Sequence, residues 1–515
     1  MDLVIRRNGN LIDLSPDGSA PLSEGLVRLL QPHLTYTYRE SLAGQFVYNP
    51  ITRKRVHVRV MTKYLFKLEE GRLVTSFGML SRIRRVLNQA GHQLFWQDLT
   101  PAPARSDAYQ TCWANVEQWI RFRHPRQREC LEAISRSECG VIDAPTAFGK
   151  SLLWAAVGLF YPKAKIDIVV KRLDVMHSLS RSLRRFLPSV GVVGDGRKDR
   201  GKRVTIYCIS SIQHAEGDAD FLLAEEVHEL LGDNYATALS ERYLRSRNFG
   251  SSASPDGRFD GGSARLEALF GPLIYRMTYQ EAVSLGLVAP IRVHWVPVVM
   301  DVNPAAGKTD MARDRWGIWR NDYRNQTIAQ AAGWFGPEEQ VLIMVETIEH
   351  AIALRQFLPD FTLCYSKDDK RFDVWKRNGV LPRNFPPMTA ERREALRLAF
   401  ESGELKKVIS TDVWAVGVDF VQLAVLIRGD GRPGNKILDT QLPGRTARIY
   451  DGKAYGLIVD FIDYFDESLR GRSRGRESNY VAKGWPTNWP QRNRRLETAV
   501  APERADWQHS ELGME

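Results

Sequence analysis

From about residue 119 to about residue 470 the sequence alternates short apolar runs with stretches of helical periodicity, and this alternation restricts the fold more than any other feature. Residues 140–142, 166–170, 204–210 and 221–224 read as strands in a first stretch ending near 290. Residues 341–345, 407–410, 423–428 and 455–460 read as strands in a second stretch beginning near 291. Strands separated by helices are joined by crossovers, and crossovers build parallel sheets buried on both faces. The expectation is an α/β protein with two parallel-sheet domains in tandem, 119–290 and 291–485. At 515 residues the chain has room for about one more domain.

That third domain is expected at residues 1–110. Residues 3–7 and 11–14 form short strands around Asn8-Gly9-Asn10, and residues 63–68 and 72–76 form a hairpin across Glu69-Glu70-Gly71. Residues 81–89 have a helical pattern with Ile83, Val86 and Leu87 on one face and Arg82, Arg84 and Arg85 interleaved; Gly91 stops it, and 92–99 returns to strand. This small α/β block holds 15 Lys/Arg against 9 Asp/Glu, a net +6 out of +11 for the whole chain. Such a basic balance favours a polyanionic partner, because neutralising phosphates releases counterions. Arg82, Arg84 and Arg85 are the candidate phosphate contacts. Pro101-Ala102-Pro103-Ala104 reads as a linker, and 486–515 as a polar tail.

Other classes are disfavoured. No run of about 18 apolar residues occurs, so no membrane span is expected, and the first residues lack an apolar signal core; a cytoplasmic protein is expected. The five cysteines are odd in number and form no CxxC pair, which fits buried thiols better than a disulfide framework or a zinc site.

Chemistry enters at Val141-Ile142-Asp143, a strand leading into Ala144-Pro145-Thr146-Ala147-Phe148-Gly149-Lys150-Ser151 and then an apolar helix. Strand, loop and helix in this order form a phosphate cradle. Backbone amides and the helix N-terminus hold the phosphates, Lys150 reaches the β and γ oxygens, and the Ser151 hydroxyl sits on Mg²⁺. Ala144 stands where the usual motif has its first glycine, and Ala147-Phe148 replaces a small pair where glycine is common; alanine adopts positive φ less readily than glycine. Gly307-Lys308-Thr309 mimics the end of such a loop, but Val302 occupies its first-glycine position and no apolar helix follows, so it reads as a chance loop.

The strand 221–224 runs into Glu225-Glu226-Val227-His228. Acids at the C-terminal end of a buried parallel strand lie at the edge where such sheets bind ligands. One can hold Mg²⁺ through water and the next can polarise an attacking water. Alone, such an acidic pair is more readily a surface feature, since surface helices carry such pairs routinely.

Taken in order, the motifs resemble those of the superfamily 2 helicases over residues 119–485. Gln127 resembles the glutamine that reads adenine. Residues 144–151 resemble motif I, Glu225–His228 the DExH box, and Ser252-Ala253-Ser254 motif III. Residues 411–420, with Gly417 and Asp419, resemble motif V, and Gln441-Leu442-Pro443-Gly444-Arg445-Thr446-Ala447-Arg448 fits the motif VI pattern QxxGRxxR. Residues 266–275, Glu281-Ala282, residues 286–290, Asn321 and Arg324-Asn325 narrow the resemblance to UvsW-type phage recombination helicases, relatives of XPB and of restriction translocases. A family aspartate is replaced here by Glu225, one methylene longer.

The resemblance implies two RecA-like domains with ATP and Mg²⁺ between them. Lys150 would clamp the phosphates, Ser151 and Glu225 would serve the metal, Glu226 would activate water, and Arg445 and Arg448 would act as arginine fingers. Residues 144–151, Gln127, Gly417, Asp419 and Gln441 would contact nucleotide, and His228, Ser252 and Ser254 would couple the domains. The implied activity is ATP-driven unwinding or branch migration of duplex, forked or branched DNA, moving 3′→5′, by a monomer or weak oligomer. An ATP-gated clamp with weak hydrolysis, an RNA remodeler and a restriction-system motor subunit stay open. Arg470, Arg472, Arg474 and Arg476 fit either a phosphate-tracking series or a solvated helix, and Trp485, Trp489 and Trp507 fit packing better than base stacking.

Overall fold

The computed structural model describes residues 2–17, 20–40, 46–49, 54–57, 59–101, 107–252, 262–366, 368–414, 420, 422–435, 439, 442–450, 453–490 and 502. The chain divides into two units, residues 1–144 with 149–277, and residues 145–148 with 278–515.

In the first unit the amino-terminal block is a five-stranded sheet in the spatial order Phe66–Glu69, Arg72–Ser76, Leu11–Pro16, Asp2–Asn8, Gln93–Asp98. Both expected hairpins are present, but the first arm of the second begins at Phe66, because Lys63 and Tyr64 end the separate strand Arg59–Tyr64 that pairs with Thr35–Glu40; the last strand joins parallel to the first. Gly9 (φ 63°) and Gly71 (φ 78°) take the left-handed conformations their turns require. The helix Leu80–Gln89 buries Ile83, Val86 and Leu87 against Leu3, Ile5, Ile12 and Leu14. This core continues into Ala268 of the helix Gly262–Phe270. At that contact a Cβ on Gly78 would come 2.0 Å from the Glu267 carbonyl oxygen, so the approach needs a glycine.

The second sheet of the first unit has the order Arg197–Asp199, Val190–Gly194, Val204–Cys208, Ile166–Val170, Phe221–Glu225, Arg247–Ser252, Cys139–Asp143, Leu273–Arg276. All neighbours are parallel except the short first strand. The strands Ile166–Val170 and Phe221–Glu225, apolar but for Asp167 and Glu225, are buried throughout, as a sheet covered on both faces requires. Residues 209–210, read as the end of a strand, instead begin the 3-10 turn Ile209–His214. Arg247–Ser252 was not legible as a strand, because its second half is Gly-Ser-Ser rather than apolar.

The second unit carries a six-stranded, all-parallel sheet ordered Ile291–Val298, Gly456–Asp463, Val425–Arg428, Val341–Met344, Lys407–Ser410, Thr362–Cys364. Val341, Ile343, Ile409, Val425, Ile427, Val459 and Phe461 form the centre of its core. Both units therefore have the expected parallel-sheet, RecA-like build. The division falls at Met277, not near 290, because the capped helix Tyr279–Ser284 belongs with the second sheet. Tyr279 packs edge-on against Trp485 there. The second unit also extends past 485: Thr487 bridges to Val293, Asn488 Oδ1 accepts from the Trp295 amide at 2.6 Å, and Trp489 packs on Trp295. Trp507 lies outside the described residues.

The arginine series on Glu467–Ala482 is a correction. Arg476 is fully buried and forms a two-pronged pair with Asp460 at 2.9 and 2.8 Å. Arg472 pairs with Asp314 at 2.7 Å, and Arg470 and Arg474 pair with Glu467. Arg476 and Arg472 tie this helix to its neighbours in the second unit, whereas Arg470 and Arg474 lie on its solvent side, so the four are neither one phosphate-facing row nor a wholly solvated helix.

Candidate nucleotide site and helicase motifs

The strand Cys139–Asp143 delivers the chain to the edge of the first sheet, and the helix Lys150–Phe160 leaves from there. Between them the loop turns back on itself, the Phe148 amide donating to the Pro145 carbonyl at 3.2 Å. Gly149 caps the helix at φ 102°, and Ala147 sits at φ 73°, the left-handed conformation in which the sequence already made an alanine costly. A Cβ on Gly149 would come 2.8 Å from Gln127 Nε2. Gln127 therefore reaches the loop from the helix Pro125–Ser135, while its Oε1 accepts from the Arg123 amide at 2.9 Å.

Lys150 is the first residue of its helix, and its side chain is 8% exposed. Its Nζ donates to the Ala144 carbonyl at 3.3 Å and lies 3.9 Å from Glu226 Oε1. Ser151 follows on the first helical turn and is half-buried. Phe221–Glu225, two strands away from Cys139–Asp143 in the same sheet, ends on the acidic pair. Glu226 leaves the strand at φ 49°, ψ 51°, so both the loop and the acid beside it hold a non-glycine residue in a disfavoured conformation. Its Oε2 is 3.5 Å from His228 Nδ1, which shares a 2.8 Å hydrogen bond with the Ser252 hydroxyl. The Ser252 carbonyl in turn accepts from the Ala144 amide at 3.2 Å. The phosphate loop, acidic pair, histidine and serine of the sequence motifs thus meet at one edge of one sheet. Ser254 lies outside the described residues.

Glu225 shows what its extra methylene does. Its Oε2 accepts from the Trp154 indole N–H and, at 3.1 Å, from the Ser251 hydroxyl; Oε1 accepts from no described residue. Burial pushes the carboxyl up to about 7, against the nearby Lys150 charge and with the help of the Glu226 charge. Nothing in the motif reading singled out Trp154 or Ser251. Trp154 looked like one more apolar residue of the helix, and only its position one turn after Lys150 hinted at a place on the same face.

In the second unit Arg445 and Arg448 lie on and just after the 3-10 turn Pro443–Ala447, both half-buried. The turn is closed by the Thr446 hydroxyl on the Pro443 carbonyl at 2.7 Å and packs against Gly456–Asp463, where a Cβ on Gly456 would come 2.3 Å from the Thr446 carbonyl oxygen. Lys453 donates to the Arg448 carbonyl at 2.9 Å, and its own pKa is lowered to about 7 by burial and then by the Arg448 charge. Gly417, Asp419 and Gln441 lie outside the described residues.

The amino-terminal arginines divide. Arg82 is bound to Glu267 of the helix Gly262–Phe270 and donates to the His33 carbonyl at 3.3 Å, so it ties the block to its neighbour instead of facing outward. Arg84 lies over the Trp96 ring at 4.9 Å, and Arg85 is exposed.

Residues 325–450 match the helicase conserved C-terminal domain. Over most of its length the chain shares its fold with a solved ATP-dependent enzyme. Among solved structures similar to this chain, the ATP-dependent type ISP restriction-modification enzyme LlaBIII, bound to DNA, aligns with a TM-score of 0.50 at 12% identity over 79% of this chain and 33% of its own. UvsW of T4 aligns over 95% of this chain and 98% of its own at 15% identity and a TM-score of 0.40. The Mycobacterium smegmatis helicase Lhr, solved with ssDNA and AMP-PNP, aligns over 69% of this chain and 48% of its own at 18% identity and a TM-score of 0.45. The helicase fold implies ATP and a divalent metal, and the edge residues fit that pair. Bare backbone at Gly149, a buried lysine, a hydroxyl at Ser151 and two carboxylates make a donor set suited to phosphates and to a hydrated cation.

Proposed function

We propose that the chain is an ATP-driven motor on DNA that unwinds or branch-migrates duplex, forked or branched substrates, 3′→5′, in recombination, repair or replication restart. The observation that carries this reading is the line from Lys150 through Glu226 to His228 and Ser252. It joins a phosphate-binding cation, a carboxylate and a relay residue at one sheet edge. Mg²⁺-bound ATP supplies a phosphoryl group whose transfer needs positioning and charge stabilisation more than covalent help. Lys150 would hold the terminal phosphate oxygens and Ser151 would help hold the metal. Glu226 orients water and receives its proton at a carboxylate oxygen, held near that point by its strand-end conformation and by His228. Arg445 and Arg448 would act as the arginine fingers that the motif VI pattern implies, stabilising negative charge as it develops on the phosphate. Gln127 reads the base from its place beside Gly149, and the motif V residues with Gln441 complete the nucleotide contacts. His228 and Ser252 pass the state of the nucleotide to the rest of the motor.

Phosphate release measured with and without single-stranded, duplex and four-way DNA tests the reading. The expected result is stimulation by DNA, strongest on branched substrates. A second reading, an ATP-gated clamp, is favoured by Ala147 at positive φ and by the retracted Glu225. Nucleotide binding with no turnover on any DNA would establish the clamp instead, and stronger stimulation by duplex RNA would identify an RNA remodeler. For the amino-terminal block, Arg84 and Arg85 are the proposed phosphate contacts. Replacing both with Ala should make the slope of log K against log salt shallower by up to about 1.8 on duplex DNA. Arg82→Ala should act on stability, with no change of slope.

A further inference from the structure

The family aspartate is replaced by Glu225, and the structure shows where the added length goes. Lys150 and Trp154 are four residues apart on one helix and so share a face. That face puts Lys150 at the loop and brings the buried Trp154 indole N–H to Glu225 Oε2. Ser251 stands opposite Glu225 in the parallel register of the neighbouring strand and donates to the same oxygen at 3.1 Å. Both donors end on Oε2, so the carboxylate is fixed in orientation with Oε1 left over. An aspartate at this position, shorter by one carbon–carbon bond of about 1.5 Å, would fall short of the indole.

We propose that Trp154 and Ser251 are positioning residues that hold Oε2 of Glu225, so that Oε1 alone faces the hydrated Mg²⁺ of the nucleotide. This rests on reading Glu225 as the residue that serves that metal. Trp154 and Glu225 are then a matched pair: the tryptophan is what makes the longer acid usable. A charge-assisted hydrogen bond between buried groups is strong enough to shift a metal requirement by about tenfold when it is lost.

The test is a double-mutant cycle of Trp154→Phe and Glu225→Asp with two readouts. Phenylalanine removes the N–H and keeps most of the ring. Without nucleotide, thermal unfolding should show coupling: the double variant melts no lower than the less stable single variant. With a fluorescent ATP analogue, Trp154→Phe should raise the Mg²⁺ concentration for half-maximal binding by about tenfold while leaving Mg²⁺-free binding unchanged. In the Glu225→Asp background it should add nothing. Additive effects in both readouts would overturn the pairing. Coupling in unfolding with an unchanged Mg²⁺ requirement would overturn the positioning role and leave a packing contact. A parent chain that binds no nucleotide at any Mg²⁺ concentration would overturn the functional reading itself, and this role with it.

Discussion

Two groups of buried charge, one in each unit, are handled in opposite ways. In the second unit, charges at and near strand ends are matched: Arg324 with Asp463 at 2.8 Å, Arg428 with Asp430 and Asp439 at 2.9 and 3.1 Å, and Arg476 with Asp460 at 2.8 Å. Pairing holds the Asp430 carboxyl well below the usual carboxylate range. In the first unit the corresponding acids lack a full partner. Glu225 is pushed up to about 7 with Lys150 as its main opposing charge, and Asp167, bonded only through Oδ2 to the Tyr243 hydroxyl at 2.8 Å, is also pushed up to about 7 by burial. Matched charges are architecture, since each satisfies the other. An unmatched charge such as Glu225 at a strand edge, beside a loop and an acid both in left-handed backbone, is what a site for a charged ligand retains before the ligand arrives; Asp167, opposite Leu222 near the start of its strand, lies away from that edge.

The largest effect expected from this contrast is in the second unit. Arg476→Ala leaves Asp460 buried without its two-pronged partner, with Tyr480 and the Phe461 amide as its remaining donors, and should cost about 3–5 kcal/mol in urea unfolding. A loss under about 1 kcal/mol would mean the pair contributes little and the contrast is false. Removing charge from the first unit should act in the opposite direction. Asp167 has an ordinary pKa near 3.8 and about 7 when folded, so the unfolded chain releases the proton first and stability falls as pH rises from about 4 to 7. Asp167→Asn keeps an acceptor for Tyr243 and removes that loss. It should raise stability at pH 8 by up to roughly 4 kcal/mol and change little at pH 4. Equal effects at both pH values would show that Asp167 is ionised in the folded chain. The smallest effect concerns the loop. Ala147→Gly relieves a left-handed alanine and should stabilise by about 1 kcal/mol or less, the greater freedom of glycine when unfolded offsetting part of the gain. A destabilised variant would show that the methyl packs favourably enough to outweigh the backbone cost.

Much of this was legible in the sequence because it is carried by periodicity. The helix with Ile83, Val86 and Leu87 inward, the hairpin across Gly9, and the apolar strands 166–170 and 221–224 all follow from patterns a few residues long. The phosphate loop was legible for the same reason, and the alanine at 147 was recognisable as a departure before its φ of 73° was seen. What was not legible depends on partners distant in sequence. Arg476 reads as solvent-facing beside three other arginines, because nothing local announces Asp460 sixteen residues earlier on a strand. Arg82 reads as a phosphate contact until Glu267 is seen beside it. Arg247–Ser252 reads as loop because its serines are polar; they are buried because Ser251 serves Glu225 and Ser252 serves His228. Glu225 was recognisable as too long, but its tryptophan partner was not.

The central claim is that the edge of the first sheet hydrolyses ATP through Glu226. The direct test is DNA-stimulated phosphate release by the parent chain and by Glu226→Gln, with nucleotide binding followed in parallel. The amide keeps the shape but accepts a proton from water far less readily than the carboxylate. The account predicts that the variant binds ATP as the parent does and releases phosphate slower by at least about a hundredfold, the lower range for a lost general base. Release at the parental rate would contradict it.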